Sequence, residues 1–267
     1  MKTFLFVLFL WLIPHVVLGQ AGPSPFARMM ETAKVKAVIR ANTVAGVTRI
    51  LLTSGSVEPR FVFVFAPGGD GAVDFSTSSE GMPISSRPGN PAFSFSSGFL
   101  RREAAWAIIG IPTDYKNRIS EGQRLDPEHI EAVAQVGQRI RDAYPKAKLI
   151  LIGHSNGGIT AGMQAIRPKP VFDAIVMSAP NLDRLPVGWK PEKALAPILF
   201  ITHKDDTCRA TSADKTVRMA GDKFPLVVIE TPSPGNPYEC FNPPAPHFFS
   251  GVYEEYSDAL LKWAAGL

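Results

Sequence analysis

The sequence predicts an α/β domain with a mostly parallel central sheet of about seven to eight strands and helices on both faces. Three observations carry that expectation. Arg60-Phe-Val-Phe-Val-Phe-Ala66 is a continuously apolar, β-rich run of the kind buried on both faces of a sheet. Through the second half of the chain, such runs alternate with stretches of helical spacing. Finally, Lys148-Leu-Ile-Leu-Ile152 runs directly into Gly153-His-Ser-Asn-Gly157, and a helix-compatible stretch follows. In that context a serine is forced onto a tight strand-to-helix turn, with glycines at both flanks relieving the crowding.

The elements follow in order. Residues 1–13 join one positive charge, Lys2, to an apolar run that Pro14 interrupts, and small residues near Gly19 offer a cleavage position. The run is shorter than the roughly 20 residues of a spanning helix. Residues 1–19 are therefore expected to be an export signal rather than a membrane anchor, and 20–267 a single domain, secreted or periplasmic. His15 would leave with the signal. A short polar leader precedes the body, which starts near Phe26, and 35–39 with 48–53 look like a first antiparallel pair.

The strand at 60–66 ends in Pro67-Gly-Gly-Asp-Gly71. Residues 74–98, crowded with Ser, Gly, Pro and Phe, are too irregular for a simple connection and belong over a binding site or on the surface. Residues 104–111 read as another buried strand. Asp126 and Pro127 open a helix, as acidic cap and first-turn proline, with Ile130, Val133, Val136, Ile140 and Tyr144 at helical spacing. Beyond the serine come a helix to about Ile166, strands at 172–178 and 197–202, a helix near 211–220, a strand at 225–230, and an amphipathic helix from Val252 to Ala265.

At 267 residues the chain suits one large domain, and its 28 basic against 24 acidic residues give a charge too mild and scattered for nucleic-acid binding. No segment after the signal is apolar enough to span a bilayer, so no membrane association is expected. The only cysteines are Cys208 and Cys240. In an exported chain an even pair favours a bridge over two buried thiols, and closing that loop would constrain the unfolded chain by roughly 3 to 4 kcal/mol. With no neighbouring Cys-x-x-Cys or paired histidines, no metal site is expected.

In a parallel sheet, functional side chains gather at the carboxyl ends of strands, so partners for Ser155 are sought there. A serine hydroxyl needs an imidazole to take its proton and a carboxylate to orient that imidazole. His203-Lys-Asp-Asp206 supplies an acid just past a strand, and His247 follows the final strand. Spacing alone leaves Asp205 and Asp206 open, and it leaves His247 open to an ordinary packing role against its phenylalanine neighbours. His154, His203 and His129 read as structural. The backbone N–H of Asn156, with that of Gly69 or alternatively Gly68, is expected to stabilise an oxyanion.

The order serine, acid, histidine and these motifs resemble the α/β-hydrolase family over essentially the whole mature chain. Gly153-His-Ser-Asn-Gly157 is similar to its nucleophile elbow, Ala66-Pro-Gly-Gly-Asp-Gly71 to its oxyanion loop, and His247-Phe-Phe-Ser-Gly251 to its histidine segment. Within it the chain looks closest to a poorly characterised exported bacterial branch with a His-x-x-Asp-x-Cys stretch, here His203 to Cys208, paired with a cysteine upstream of Pro-His. The resemblance places the acid three residues after His203, at Asp206. A Cys208–Cys240 bridge would then clamp the acid loop to the histidine loop.

The expected function is hydrolysis of a carboxylic ester or related acyl bond, carboxylesterase-like, on a small-molecule acyl substrate and without cofactor. Alternatives are an amidase or peptidase using the same residues, or a ligand- or partner-binding protein without turnover. The short connection from Ser178 to Pro197 leaves no room for a large helical lid. Residues 75–99 are the better wall for an acyl pocket, with Phe93, Phe95 and Phe99 either lining it or anchoring the loop. Oligomeric state is not fixed by the sequence.

Overall fold

Side chains alternate between the two sides of each central strand, and that alternation divides the core into two layers. The protein is described by a computed structural model covering residues 22–102 and 104–267. The expected signal, residues 1–19, and His15 lie outside the described residues. The chain begins with helix α1 (Pro25–Thr32), where the Ser24 hydroxyl accepts from the Ala27 N–H at 3.2 Å and proline sits in the first turn. No helix was expected there, because eight residues behind a Pro- and Ser-rich leader carry too little periodicity.

Strands β1 (Val35–Thr43) and β2 (Gly46–Ser54) form a hairpin, and β3 (Phe61–Ala66) follows. The segment expected to be irregular is better organised than that: it holds a small hairpin of β4 (Phe75–Thr77) and β5 (Pro83–Ser85), a 3₁₀ segment Pro91–Ser96 and the short helix α2 (Ser97–Leu100). Next come β6 (Ala104–Ile109), α3 (Pro127–Ala143), β7 (Lys148–His154), α4 (Gly157–Ala165), β8 (Ala174–Ser178), β9 (Ile198–His203), α5 (Ala213–Ala220), β10 (Leu226–Ile229) and α6 (Tyr253–Ala264). Asp126 does stand at the N-cap of α3, but its side chain makes no capping bond.

Eight strands form the main sheet in the order β1-β2-β6-β3-β7-β8-β9-β10. Strand β2 pairs antiparallel with β1 and β6, and every pairing from β6 through β10 is parallel. Phe61, Phe63 and Phe65 of β3 enter one layer, with Trp106, Ile150 and Ile152, beneath α1, α2 and α6. Val62 and Val64 enter the other, with Leu149, Leu151, Val133, Val136 and Ile140, beneath α3 to α5. A continuous apolar run in the sequence is thus two period-two patterns interleaved.

Between β8 and β9 lie two 3₁₀ turns, Leu182–Arg184 and Pro191–Lys193, as the short connection demanded. Among the described residues no helix is long and apolar enough to cross a membrane.

Phe93 and Phe99 anchor their segment to the core: both are fully buried, and Phe99 stacks on Trp106 at 4.9 Å and lies 4.5 Å from Phe63. Phe95 alone of the three also lines the main cavity. Truncating Phe99 to alanine should lower stability by about 3–5 kcal/mol, since the surrounding strands cannot collapse onto the void. A urea-unfolding midpoint unchanged in that variant would contradict the anchoring role.

Candidate active site

The serine turn is built where β7 ends and α4 starts. Ser155 has φ +54°, a left-handed conformation that strains a non-glycine residue. Its own peptide groups hold it there: the Ser155 N–H donates to the Ser178 carbonyl at 3.0 Å, and its carbonyl accepts from Gly158 and Asn181, each at 2.9 Å. Both flanking glycines are needed for close approach. A Cβ on Gly157 would lie 2.0 Å from the Ala66 carbonyl oxygen, and one on Gly153 would lie 2.3 Å from that of Gly157.

His247 sits in the 3₁₀ turn Pro246–Phe248, between β10 and α6, and the next residue, Phe249, is left-handed at φ +52°. The imidazole is buried, and its Nδ1 lies 2.8 Å from Asp206 Oδ2. Asp206, just past β9, is buried as well; its Oδ1 accepts the Cys208 N–H at 3.0 Å, and Oδ2 accepts from the Thr211 hydroxyl at 3.4 Å. Asp205 turns elsewhere. Its side chain is about half exposed, and its N–H donates to His203 Nδ1 at 3.1 Å. Of the two adjacent carboxylates, geometry pairs Asp206 with the imidazole.

Ser155 and His247 line one open cavity of about 760 Å³, together with Gly68, Gly69, Asn156, Phe95 and Phe248. Among the described residues no hydrogen bond joins the hydroxyl to the imidazole; in unliganded sites such contacts are commonly long and tighten with substrate. Gly68 is pressed against the serine, since a Cβ there would lie 2.7 Å from the Ser155 Cβ. The N–H groups of Gly68, Gly69 and Asn156 have no acceptor among the described residues, and all three residues line the cavity.

The other described histidines are buried. His203 is buried and its Nε2 lies 2.9 Å from the Thr231 carbonyl. His129 Nε2 lies 3.1 Å from the Thr160 hydroxyl, and burial, reinforced by the Arg124 charge, pushes its pKa down to about 3. His154 packs its ring 4.9 Å from that of His247 and also lies against Phe65 and Phe95. Burial first, and then the His247 charge, hold His154 well below the ordinary histidine range against an opposing contact with Ser178. A neutral ring therefore lies beside the imidazole that pairs with Asp206.

Several supporting residues carried no sequence signal. Thr211 touches both Asp206 and His247 Nδ1, the latter at 3.2 Å. Asn181 donates to Asn156 Oδ1 at 2.7 Å, and Asn156 Nδ2 donates to the Gly69 carbonyl at 3.1 Å, tying the serine turn to the glycine loop. Arg124 is buried, although arginine is among the residues most often at the surface. Only proximity in the fold gives these residues their roles.

Cys208 and Cys240 are joined in a disulfide whose Cα atoms are 5.6 Å apart. It links the Asp206 loop to the segment leading into His247, and a Thr207 hydroxyl bond to the Pro237 carbonyl at 2.6 Å fastens the same two segments. Asp206, Cys208 and His247 offer ligand atoms within 4.8 Å of one another. That set does not suit a metal, because the Cys208 sulfur is bonded to Cys240 and supplies no thiolate.

The sequence matches no known family and no curated protein. Solved structures do match in shape. A lidless α/β serine hydrolase from Xanthomonas campestris superposes with TM-score 0.54 and 15% identity over 85% of this chain and 92% of its own. Dienelactone hydrolase from Anabaena variabilis superposes with TM-score 0.51 and 16% identity, over 85% of this chain and 94% of its own. The acylaminoacyl peptidase of Pyrococcus horikoshii gives TM-score 0.51 and 13% identity, over 86% of this chain but 40% of its own. Strand order, crossover pattern and these likenesses agree: the chain is built on the α/β-hydrolase fold.

Proposed function

We propose that this protein is a serine hydrolase that cleaves a carboxylic ester or related acyl bond through an acyl-enzyme on Ser155. One observation carries the reading: a buried Asp206–His247 pair, 2.8 Å apart, borders the cavity into which a strained serine turn opens. With Nδ1–H held by the carboxylate, Nε2 is left as the proton acceptor. His247 takes the Ser155 proton as the oxygen attacks the acyl carbon. The tetrahedral oxyanion is received by the N–H of Asn156 and of Gly69 or Gly68. His247 then protonates the leaving alcohol, and water repeats the sequence to release the acid.

A strained serine turn and an acid–imidazole pair on one cavity favour turnover over binding alone, because strain of this kind gathers at active sites. An ester or an amide could enter the same machinery, and they differ in how firmly the leaving group must be protonated. The apolar leader at residues 1–19 and the disulfide support export to the periplasm or beyond.

Purified protein should be labelled by a fluorophosphonate probe, and Ser155→Ala should abolish labelling. Retained labelling would place the nucleophile elsewhere. On p-nitrophenyl esters of graded chain length, Asp206→Asn should lower kcat by about 10⁴-fold through loss of the correct imidazole tautomer, while Asp205→Asn stays near wild type. Anilides run beside the esters separate amidase from esterase.

Reducing the disulfide, or replacing Cys208 and Cys240 by serine, should cost up to about 4 kcal/mol of stability. It should also lower turnover before helix content falls, because the clamp joins the Asp206 and His247 segments. Full turnover with both thiols titratable would rule out the clamp.

A further inference from the structure

Arg124 is only 1% exposed, on a 3₁₀ turn at Gln123–Leu125 just before α3. Its Nη2 donates to the Pro67 carbonyl at 3.0 Å and to the Gly69 carbonyl at 3.4 Å. Its Nη1 donates to the Thr160 hydroxyl on α4 at 3.1 Å. All three acceptors are neutral. The carboxylates closest to it in charge are engaged with other partners, Asp70 with Arg87 at 3.6 Å and Glu121 with Arg184 at 2.7 Å. Burial lowers the Arg124 pKa to about 10, so it keeps its charge at neutral pH. A buried cation without a directly bonded anion is costly.

Its position indicates a task. The carbonyls of Pro67, Gly68 and Gly69 are all engaged: the first and third by Arg124, the second by the Gly71 N–H at 3.0 Å. In a trans peptide the N–H points opposite to the carbonyl of the same unit. Fixing the Pro67 carbonyl on Arg124 therefore turns the Gly68 N–H away from it, and both glycines line the cavity. Through Thr160 the same guanidinium is tied to the helix that starts at the serine turn, which carries Asn156 at its cap. His129, kept neutral, can accept a hydrogen bond from the Thr160 hydroxyl at Nε2, which leaves the hydroxyl oxygen free to accept from Arg124.

We propose that Arg124 is the positioning residue of the oxyanion site: it fixes the glycine loop relative to the serine turn and places a buried positive charge, bonded to no carboxylate, behind the point where negative charge develops. The proposal rests on the serine-hydrolase reading above. Such a residue acts on the tetrahedral state and not on the bound ester, so its removal lowers kcat and leaves KM in place.

The test compares wild type with Arg124→Met and Arg124→Lys on one p-nitrophenyl ester, with thermal unfolding and phenylboronic acid inhibition measured on each. Phenylboronic acid forms a tetrahedral anion on the serine and reports the oxyanion site independently of turnover. Arg124→Met should lose about 10²–10³-fold in kcat, with KM within about twofold and boronate affinity falling in step with kcat. Arg124→Lys, which keeps the charge but loses the fork, should fall in between.

Two results overturn the proposal: a folded variant with kcat near wild type, or one whose kcat falls while boronate affinity stays unchanged. Should neither variant fold, Thr160→Val loosens the guanidinium without emptying its site, and unchanged kcat and boronate affinity there would also overturn it. Fluorophosphonate labelling of wild type separates the two readings. A protein that is not labelled at Ser155 loses the hydrolase reading itself, whereas a labelled protein indifferent to Arg124 loses only this one.

Discussion

The contact on which the site depends is between backbone and backbone: the first turn of α4 against the end of β3. With glycine at position 157 the helix can start directly over the Ala66 carbonyl, where any side chain would collide at 2.0 Å. That approach brings the serine turn beside the loop that leaves β3, and Gly68 closes the remaining gap. The left-handed strain at Ser155 is offset by three backbone hydrogen bonds, to Ser178, Gly158 and Asn181. Packing of the parallel strands against the α4 layer thus sets the geometry of a loop that makes few apolar contacts of its own.

Around that turn the protein has buried an unusual number of titratable groups. Asp206 and His247 satisfy one another and lean on Thr211. His154 is kept neutral by burial and stacks beside His247, so it adds no competing positive charge next to the imidazole. Arg124 keeps its charge and spends its donors on the glycine loop and α4. Each would be costly in isolation; of them His154 and His247 line the cavity, beside Phe65, Phe95 and Phe248.

Two segments frame the opening. The Phe-rich stretch after β5 is held by its aromatic rings in the layer under α6, where Phe95 packs edge-on against Tyr256 at 5.1 Å and Phe249 at 6.0 Å. Opposite it, the disulfide joins the β9 loop to the Pro-rich segment before His247, which leaves Phe241 exposed at the cavity rim. With only two 3₁₀ turns between β8 and β9, nothing there closes over the mouth.

The fold class, the order of most elements and the tight turn at Ser155 were legible because each follows a local rule. Period-two burial, helical spacing and glycine at a tight turn act over a few residues, and the sequence displays them directly. The short helix α1 escaped because eight residues carry too little periodicity, whereas Asp126 was rightly placed at the N-cap of α3, although residue type did not guarantee a capping bond from its side chain. Spacing left Asp205 and Asp206 open and the family resemblance favoured Asp206, the carboxylate that the fold pairs with the imidazole; tertiary structure alone assigned Phe93 and Phe99 to the core and Phe95 to the cavity, and brought Arg124, Thr211 and Asn181 to the site. Those choices depend on which groups meet across tens of residues of chain, and a hydrogen bond between distant segments leaves no periodic trace in either one.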